Sequence, residues 1–314
     1  AQMIIYAVWG IVTTAFMWSA MLKVANSLGT GEEQGRMFGL LEGGRGIVNV
    51  IVAFVALYFY GKLGETVAGV AGILIGTSIL CFVAAILAWF IIPDKVSGAS
   101  DKIQIKDVGK VLKIPAVWIV AIIVLSCYSV YIGSTYLTPY LTEILGLSAT
   151  AAGAIAIIRQ YVLQFAAAPI GGTIADKLGS ISFVVACCFV LMVAALAFAF
   201  LPSSPAILTV AVILMLLFCA GIFAMRGIYF ATLDECRKVP RSLMGTAIGV
   251  VSVIGFFPDV YMNAIVGGLM DAYPGAAGYK HVFLIMLGFA IVGLIASVVL
   301  NRTIKKSKKE AAAE

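Results

Sequence analysis

Three ionisable side chains interrupt long apolar stretches of the sequence: Arg159, Arg226 and Asp259. A charge at the centre of a membrane helix costs about 2.5 to 3.5 kcal/mol on insertion scales, so residues of this kind are candidates for function. A guanidinium is planar, permanently charged and carries five donors, which suits a carboxylate, sulfonate or phosphate better than a neutral solute. Gln160 and Gln164 form a polar pair one helical turn apart beside Arg159. Asp259 and Asn263 are also one turn apart, just after Pro258, whose missing backbone donor permits a kink. Asp259 is the candidate for carrying a coupling proton, and equally a candidate counter-ion for an arginine. Tyr128 and Tyr131 lie in a stretch rich in hydroxyl groups that could hydrogen-bond a polyol, whereas Tyr136 and Tyr140 fit an interfacial aromatic belt. The substrate-binding candidates are therefore Arg159, Gln160, Tyr128, Tyr131, Arg226 and Asn263. The competing role for Arg159 is a structural pair with Asp259 or Glu42.

Other chemistries lack their residues. His281 is the single histidine, so a His-based relay or triad has no partner set. The six cysteines show no CxxC spacing, and nearly all fall inside apolar runs, where Cys behaves as a small hydrophobe. The sequence thus implies no catalytic residue, no metal site, no disulfide framework and no cofactor. A polytopic membrane enzyme would need a His, Asp or metal-ligand cluster at a membrane face. A sensor that binds a solute without moving it is the second rival to a carrier.

The elements that must position these residues are membrane helices. Of the 314 residues, 62% are hydrophobic and 11% charged, with mean hydropathy +1.10, whereas soluble domains are about 45 to 50% apolar and about 25% charged. The alternating segments of a transmembrane β-barrel are absent from the sequence. Apolar runs long enough to cross a hydrocarbon core recur as about nine spans, near 3 to 28, 36 to 60, 66 to 92, 115 to 141, 149 to 174, 180 to 200, 206 to 233, 242 to 269 and 280 to 301. This all-α membrane organisation divides into a partial N-terminal bundle of three helices (1–92), a cytoplasmic linker (93–114) containing a short amphipathic helix, a six-helix C-terminal bundle (115–301) and a basic tail (302–314). The net charge of +6 lies in short loops and this tail, so it reads as a topology signal and implies no nucleic-acid partner. With Arg45, Arg159 and Arg226 set aside as membrane-embedded, Lys and Arg concentrate on one side, which places that side and the C-terminus in the cytoplasm. A weak echo at an offset of about 206 residues, with Arg36 to Gly39 against Ser242 to Gly245, is of the kind expected from helix-block repeats.

The most specific local signal is Gly172-Thr173-Ile174-Ala175-Asp176-Lys177-Leu178-Gly179, in a tight turn between two spans. It resembles the G-x-x-x-D-[RK]-x-G loop of the major facilitator superfamily, in the copy between the eighth and ninth helices, with the usual following basic pair replaced by Ser180 and Ile181. The stretch from Glu32 to Gly46 resembles the cytoplasmic entry to that family's fifth helix. The resemblance covers essentially the whole chain, as helices four to twelve of a twelve-helix fold, and implies three further helices upstream. A natural nine-helix protein is the alternative. It further implies a monomeric secondary transporter of the bacterial inner membrane, with the lipid bilayer and a small-molecule substrate as its partners. Two halves would rock around a midplane site that takes a small polar organic solute, a sugar derivative or an organic anion, and proton symport is one of the family's coupling modes beside uniport and antiport. The loop residues Gly172, Asp176, Lys177 and Gly179, with Arg36, Glu42 and Arg45, are expected to form a conformational latch, Asp176 facing the positive end of the helix that begins near Gly35.

Overall fold

A computed structural model describes residues 8–10, 12–28, 33–62, 67–91, 105–236 and 239–313. Among them there is no strand. A π-helical segment, Val12–Trp18, runs into α1 (Ser19–Leu28), followed by α2 (Gln34–Lys62), α3 (Val67–Ile91) and the short α4 (Ile105–Val111). The second part comprises α5 (Pro115–Ser134), α6 (Leu137–Glu143), α7 (Ala149–Ile157), a π-helical segment Ile158–Val162, α8 (Leu163–Leu178) and α9 (Ser180–Phe200). It continues through α10 (Leu208–Met225), α11 (Ile228–Glu235), α12 (Met244–Gly255), α13 (Pro258–Ala272) and α14 (Ala276–Ala313). Among the described residues, seven helical stretches are long and apolar enough to cross a membrane, matching seven of the nine expected spans. The expected spans 3 to 28 and 36 to 60 overlap α1 and α2, the latter a 29-residue helix of about 43 Å. Most of the expected linker, 92–104, and the loop residues Glu32, Arg237 and Lys238 lie outside the described residues, as do residues 1–7.

Several helices start and stop for local reasons. Pro115 opens α5, where its missing N–H would have no helical partner. The Ser148 hydroxyl caps α7 by accepting from the Ala151 amide at 3.3 Å. Gly179, at φ +85°, makes the turn between α8 and α9 that a side chain would strain.

Other spans are broken along their length. The breaks fall at Thr135–Tyr136 between α5 and α6, at Arg226–Gly227 between α10 and α11, and at Phe256–Phe257 before Pro258. The π-helical turn at Ile158–Val162 interrupts the span that ends in α8. Backbone groups freed at membrane depth are tolerated where they are buried in protein or line a wet cavity, and the charged residues cluster at these breaks.

The core of the second part has α5 packed mainly against α14 and α12, with α13 and α11 beside it and α9 packed along α14, and Val120, Ile123, Val124, Phe218, Phe283 and Met286 fully buried. The N-terminal part joins it mainly through α2 against α8 and α1 against α12. Gly35, Gly39, Gly43 and Gly46 form the contact stripe of α2. A Cβ on Gly39 would lie 2.5 Å from the Ala168 carbonyl, one on Gly43 2.7 Å from Pro169 Cγ, and one on Gly46 2.9 Å from the Phe165 amide nitrogen. Only helices without side chains at these positions can come this close. Past Gly46, Ile47, Val48, Ile51 and Val55 are exposed, and α2 also touches the Ile158–Val162 turn that leads into α8. None of the apolar window of α3 is buried, so its surface is the kind that lipid covers.

Candidate functional site

Where the π-helical segment Val12–Trp18, α2, α5 and the breaks at Arg226 and Phe256 converge, a cavity of about 200 Å³ is lined by Thr13, Met17, Trp18, Arg45, Tyr128, Arg226, Phe256 and Asp259. A larger crease of about 500 Å³ between α2 and α3 is lined by apolar side chains and Thr77; it lacks groups that could orient a polar solute.

Glu42, 1% exposed, organises the polar side of the smaller cavity. Its Oε1 accepts from Arg45 Nη1 at 2.5 Å, while Oε2 accepts from Gln164 Nε2 at 3.2 Å and faces Arg226 Nε at 4.0 Å. Burial of this carboxylate is offset by two hydrogen-bond donors and the nearby Arg226 charge, drawn from both parts of the molecule. Each arginine also lies over an aromatic face. Arg45 Cζ is 4.4 Å from the Trp18 ring centroid, and Arg226 Cζ is 4.4 Å from that of Tyr131 and 5.9 Å from that of Tyr128. The Tyr128 hydroxyl donates to Asp259 Oδ2 at 3.1 Å, and Gln160 Nε2 donates to the Tyr131 hydroxyl at 3.1 Å. Trp18, 7% exposed, has no hydrogen-bond partner for its indole N–H among the described residues.

The structure brings some of the expected residues together and separates others. Tyr128, Arg226 and Asp259 line the cavity, and Tyr131 and Gln160 form the layer behind Arg226. Arg159 does not line it. The π-helical turn carries this guanidinium into the protein, 8% exposed, where Nη1 reaches Ser134 Oγ at 3.5 Å and no ion pair forms among the described residues. Asn263 is exposed and accepts from the Tyr136 hydroxyl at 3.4 Å, outside the cavity lining. Glu42 and Arg45, grouped by sequence with the loop latch, lie about two turns further along α2 than Arg36, in the central cluster.

At the loop, Asp176 Oδ2 accepts from the Arg36 amide at 2.9 Å. Arg36 is in the first turn of α2, whose amides have no helical acceptor, so Asp176 caps that helix from across the molecule and meets the positive end of its dipole. Gly172 packs directly on the Gly35 carbonyl. Lys177 is exposed. Glu235, which sequence reasoning missed, does the same for α9: its carboxylate accepts from the Ser180 and Ile181 amides, where the family's basic pair would stand.

The family model described as Major Facilitator Superfamily matches residues 1–260. The chain belongs to that superfamily. It is 34% identical to "Inner membrane protein YihN" of Escherichia coli (strain K12), over 98% of this chain and 75% of the relative. It is 30% identical to "Inner membrane protein YqcE" of the same organism, over 91% of this chain and 69% of the relative. Among solved structures, a bacterial homologue of the iron transporter ferroportin in an outward-facing state superposes with TM-score 0.69 at 17% identity. That match covers 88% of this chain and 66% of the other, so the chain spans just under two thirds of the length of that structure, and at this identity the likeness is one of fold. The protein is a multi-pass membrane protein with a major-facilitator-type fold.

Proposed function

We propose that the protein carries a small organic anion by alternating access, with Arg45 and Arg226 as the anion contacts. The observation that carries this reading is the convergence of two guanidiniums from different parts of the fold on one cavity, beside the Trp18 N–H, unpartnered among the described residues. Donors on this scale suit a carboxylate, sulfonate or phosphate and repel a free metal cation. At about 200 Å³ the cavity is below the roughly 300 to 1,000 Å³ usual for drug-sized ligands, so a compact solute is expected. Around the cavity, Arg45 and Arg226 stand against two carboxylates, Glu42 and Asp259, so the empty site is balanced and an anion adds one negative charge to it. A proton carried on Asp259 would restore the balance with a monoanion bound, which is the form proton symport takes here.

The contact of Asp176 with α2, and the glycine stripe beside it, then form the closed side of the carrier, facing the cytoplasm with the basic tail. The exposed stretch of α2 beyond Gly46 lies toward the open side. The test is thermal stabilisation of the purified protein by acetate, methanesulfonate and inorganic phosphate against neutral glucose. Stabilisation by the anions, lost in Arg226→Ala while circular dichroism is retained, is expected. Stabilisation by glucose alone would overturn the anion reading, and binding without accumulation in proteoliposomes would favour a sensor.

A further inference from the structure

Behind the cavity wall, three sulfur atoms from three helices meet at the centre of the C-terminal bundle. Cys127 Sγ of α5 is 3.9 Å from Cys188 Sγ of α9, and Met225 Sδ at the end of α10 is 3.9 Å from the first and 3.8 Å from the second. The three residues are 6%, 1% and 1% exposed. We propose that Cys127, Cys188 and Met225 form a binding site for a soft monovalent cation of the Cu(I) or Ag(I) type.

The geometry is that of a trigonal sulfur site. A near-equilateral triangle with these sides has its centre about 2.2 Å from each sulfur, close to the roughly 2.3 Å of a metal–thiolate bond. The donors are two thiols and a thioether, the soft set that selects Cu(I) over harder ions. A structural zinc ion would call for a fourth ligand in tetrahedral array, and among the described residues no group of three or more His, Cys, Asp or Glu side chains forms a metal cluster. Gly293 of α14 faces the two thiols: a Cβ there would be 3.8 Å from both sulfurs, so no side chain is wedged between them and that helix. On binding, the cation forms three bonds to sulfur, one S–H bond breaks and its proton leaves to solvent, with no change of oxidation state. One thiolate and one monovalent cation leave the site neutral, which suits burial in a medium where net charge is costly. Cys127 precedes Tyr128 and Met225 precedes Arg226, so an ion at this point ties together the backbones that carry two cavity-lining residues.

The experiment uses Ag(I), which needs no reductant, on the full chain carrying Cys81→Ser to remove the exposed thiol. One Ag(I) retained per chain after desalting, with a raised thermal midpoint, is expected. Cys188→Ser should abolish retention and Met225→Leu, close to volume-conserving, should weaken it at least tenfold while the unliganded midpoint stays near that of the parent. Cys187→Ser, which alters the neighbouring thiol, should retain the ion. X-ray absorption of the Cu(I)-loaded protein should show three sulfurs at about 2.3 Å. Retention unchanged by Met225→Leu, equal loss in Cys187→Ser, or two sulfurs in a linear arrangement would each overturn the proposal.

Discussion

Glu42 accepts from Arg45 and Gln164 and faces Arg226, so replacing its charge leaves two guanidiniums in a buried cluster with no carboxylate between them. Breaking a buried pair from one side costs about 3 to 5 kcal/mol. Glu42→Gln should therefore lower the thermal midpoint in detergent clearly, and the double change Glu42→Gln with Arg226→Gln should recover part of the loss. A second expectation concerns Tyr128→Phe, which deletes the donor to Asp259 but keeps the ring over which Arg226 lies. Fold and thermal midpoint should move by about 1 kcal/mol or less, while the pH dependence of anion binding shifts, as titration calorimetry at several pH values would show. Arg226 and Asp259 were legible in the sequence because a charge in an apolar run has few other uses. Glu42 and Arg45 were not placed correctly, since they follow the loop charges Glu33 and Arg36 so closely that they read as part of the helix entry. Arg159 lies outside the cavity lining: depth along a span can be counted from sequence, but a π-helical turn, which changes where the side chain goes, cannot. Trp18 carried no signal in an unbroken apolar segment.

At the scale of elements, the pairing of α2 with α8 rests on backbone closeness and on one cap. Asp176→Asn keeps the shape but removes the charge at the α2 N-terminus, and Asp176→Ala removes the acceptor as well. A lost helix cap costs typically about 1 kcal/mol, enough to shift a two-state equilibrium about fivefold. Spin-label distances between positions 36 and 177 should broaden toward longer separations in Asp176→Ala and stay near the parent's in Asp176→Glu. Gly39→Leu should act more strongly, since even a Cβ would stand 2.5 Å from the Ala168 carbonyl. The turn chemistry behind this pairing was readable, because Gly172, Asp176 and Gly179 are spaced for it. The helix breaks at Thr135, Arg226 and Phe256 were mostly not: of these, only the last is announced by a proline.

For the whole molecule, the lipid-facing and protein-facing surfaces can be told apart by tryptophan. Trp89 is 84% exposed on the apolar face of α3, whereas Trp18 is 7% exposed beneath Arg45. In nanodiscs containing brominated lipid, a variant retaining only Trp89 should be quenched strongly and one retaining only Trp18 weakly. Equal quenching would contradict the placement of α3 against lipid. Composition alone foretold a helical membrane protein; which helices lie at the periphery it did not, because a span read in isolation is apolar on every side.

The glycine stripe ends at Gly46, and that ending sets a mechanical ratio. If α2 turns against α8 as a stiff rod with Gly46 and Phe165 as its rivet, Glu42 is about 6 Å from the pivot and Lys62 about 24 Å. Each degree of swing then moves the far tip about four times as far as the carboxylate that holds Arg45 and Arg226. The long arm of α2 can sweep open while its charged clasp barely slides, as the handles of a pair of pliers travel far for a small movement of the jaws.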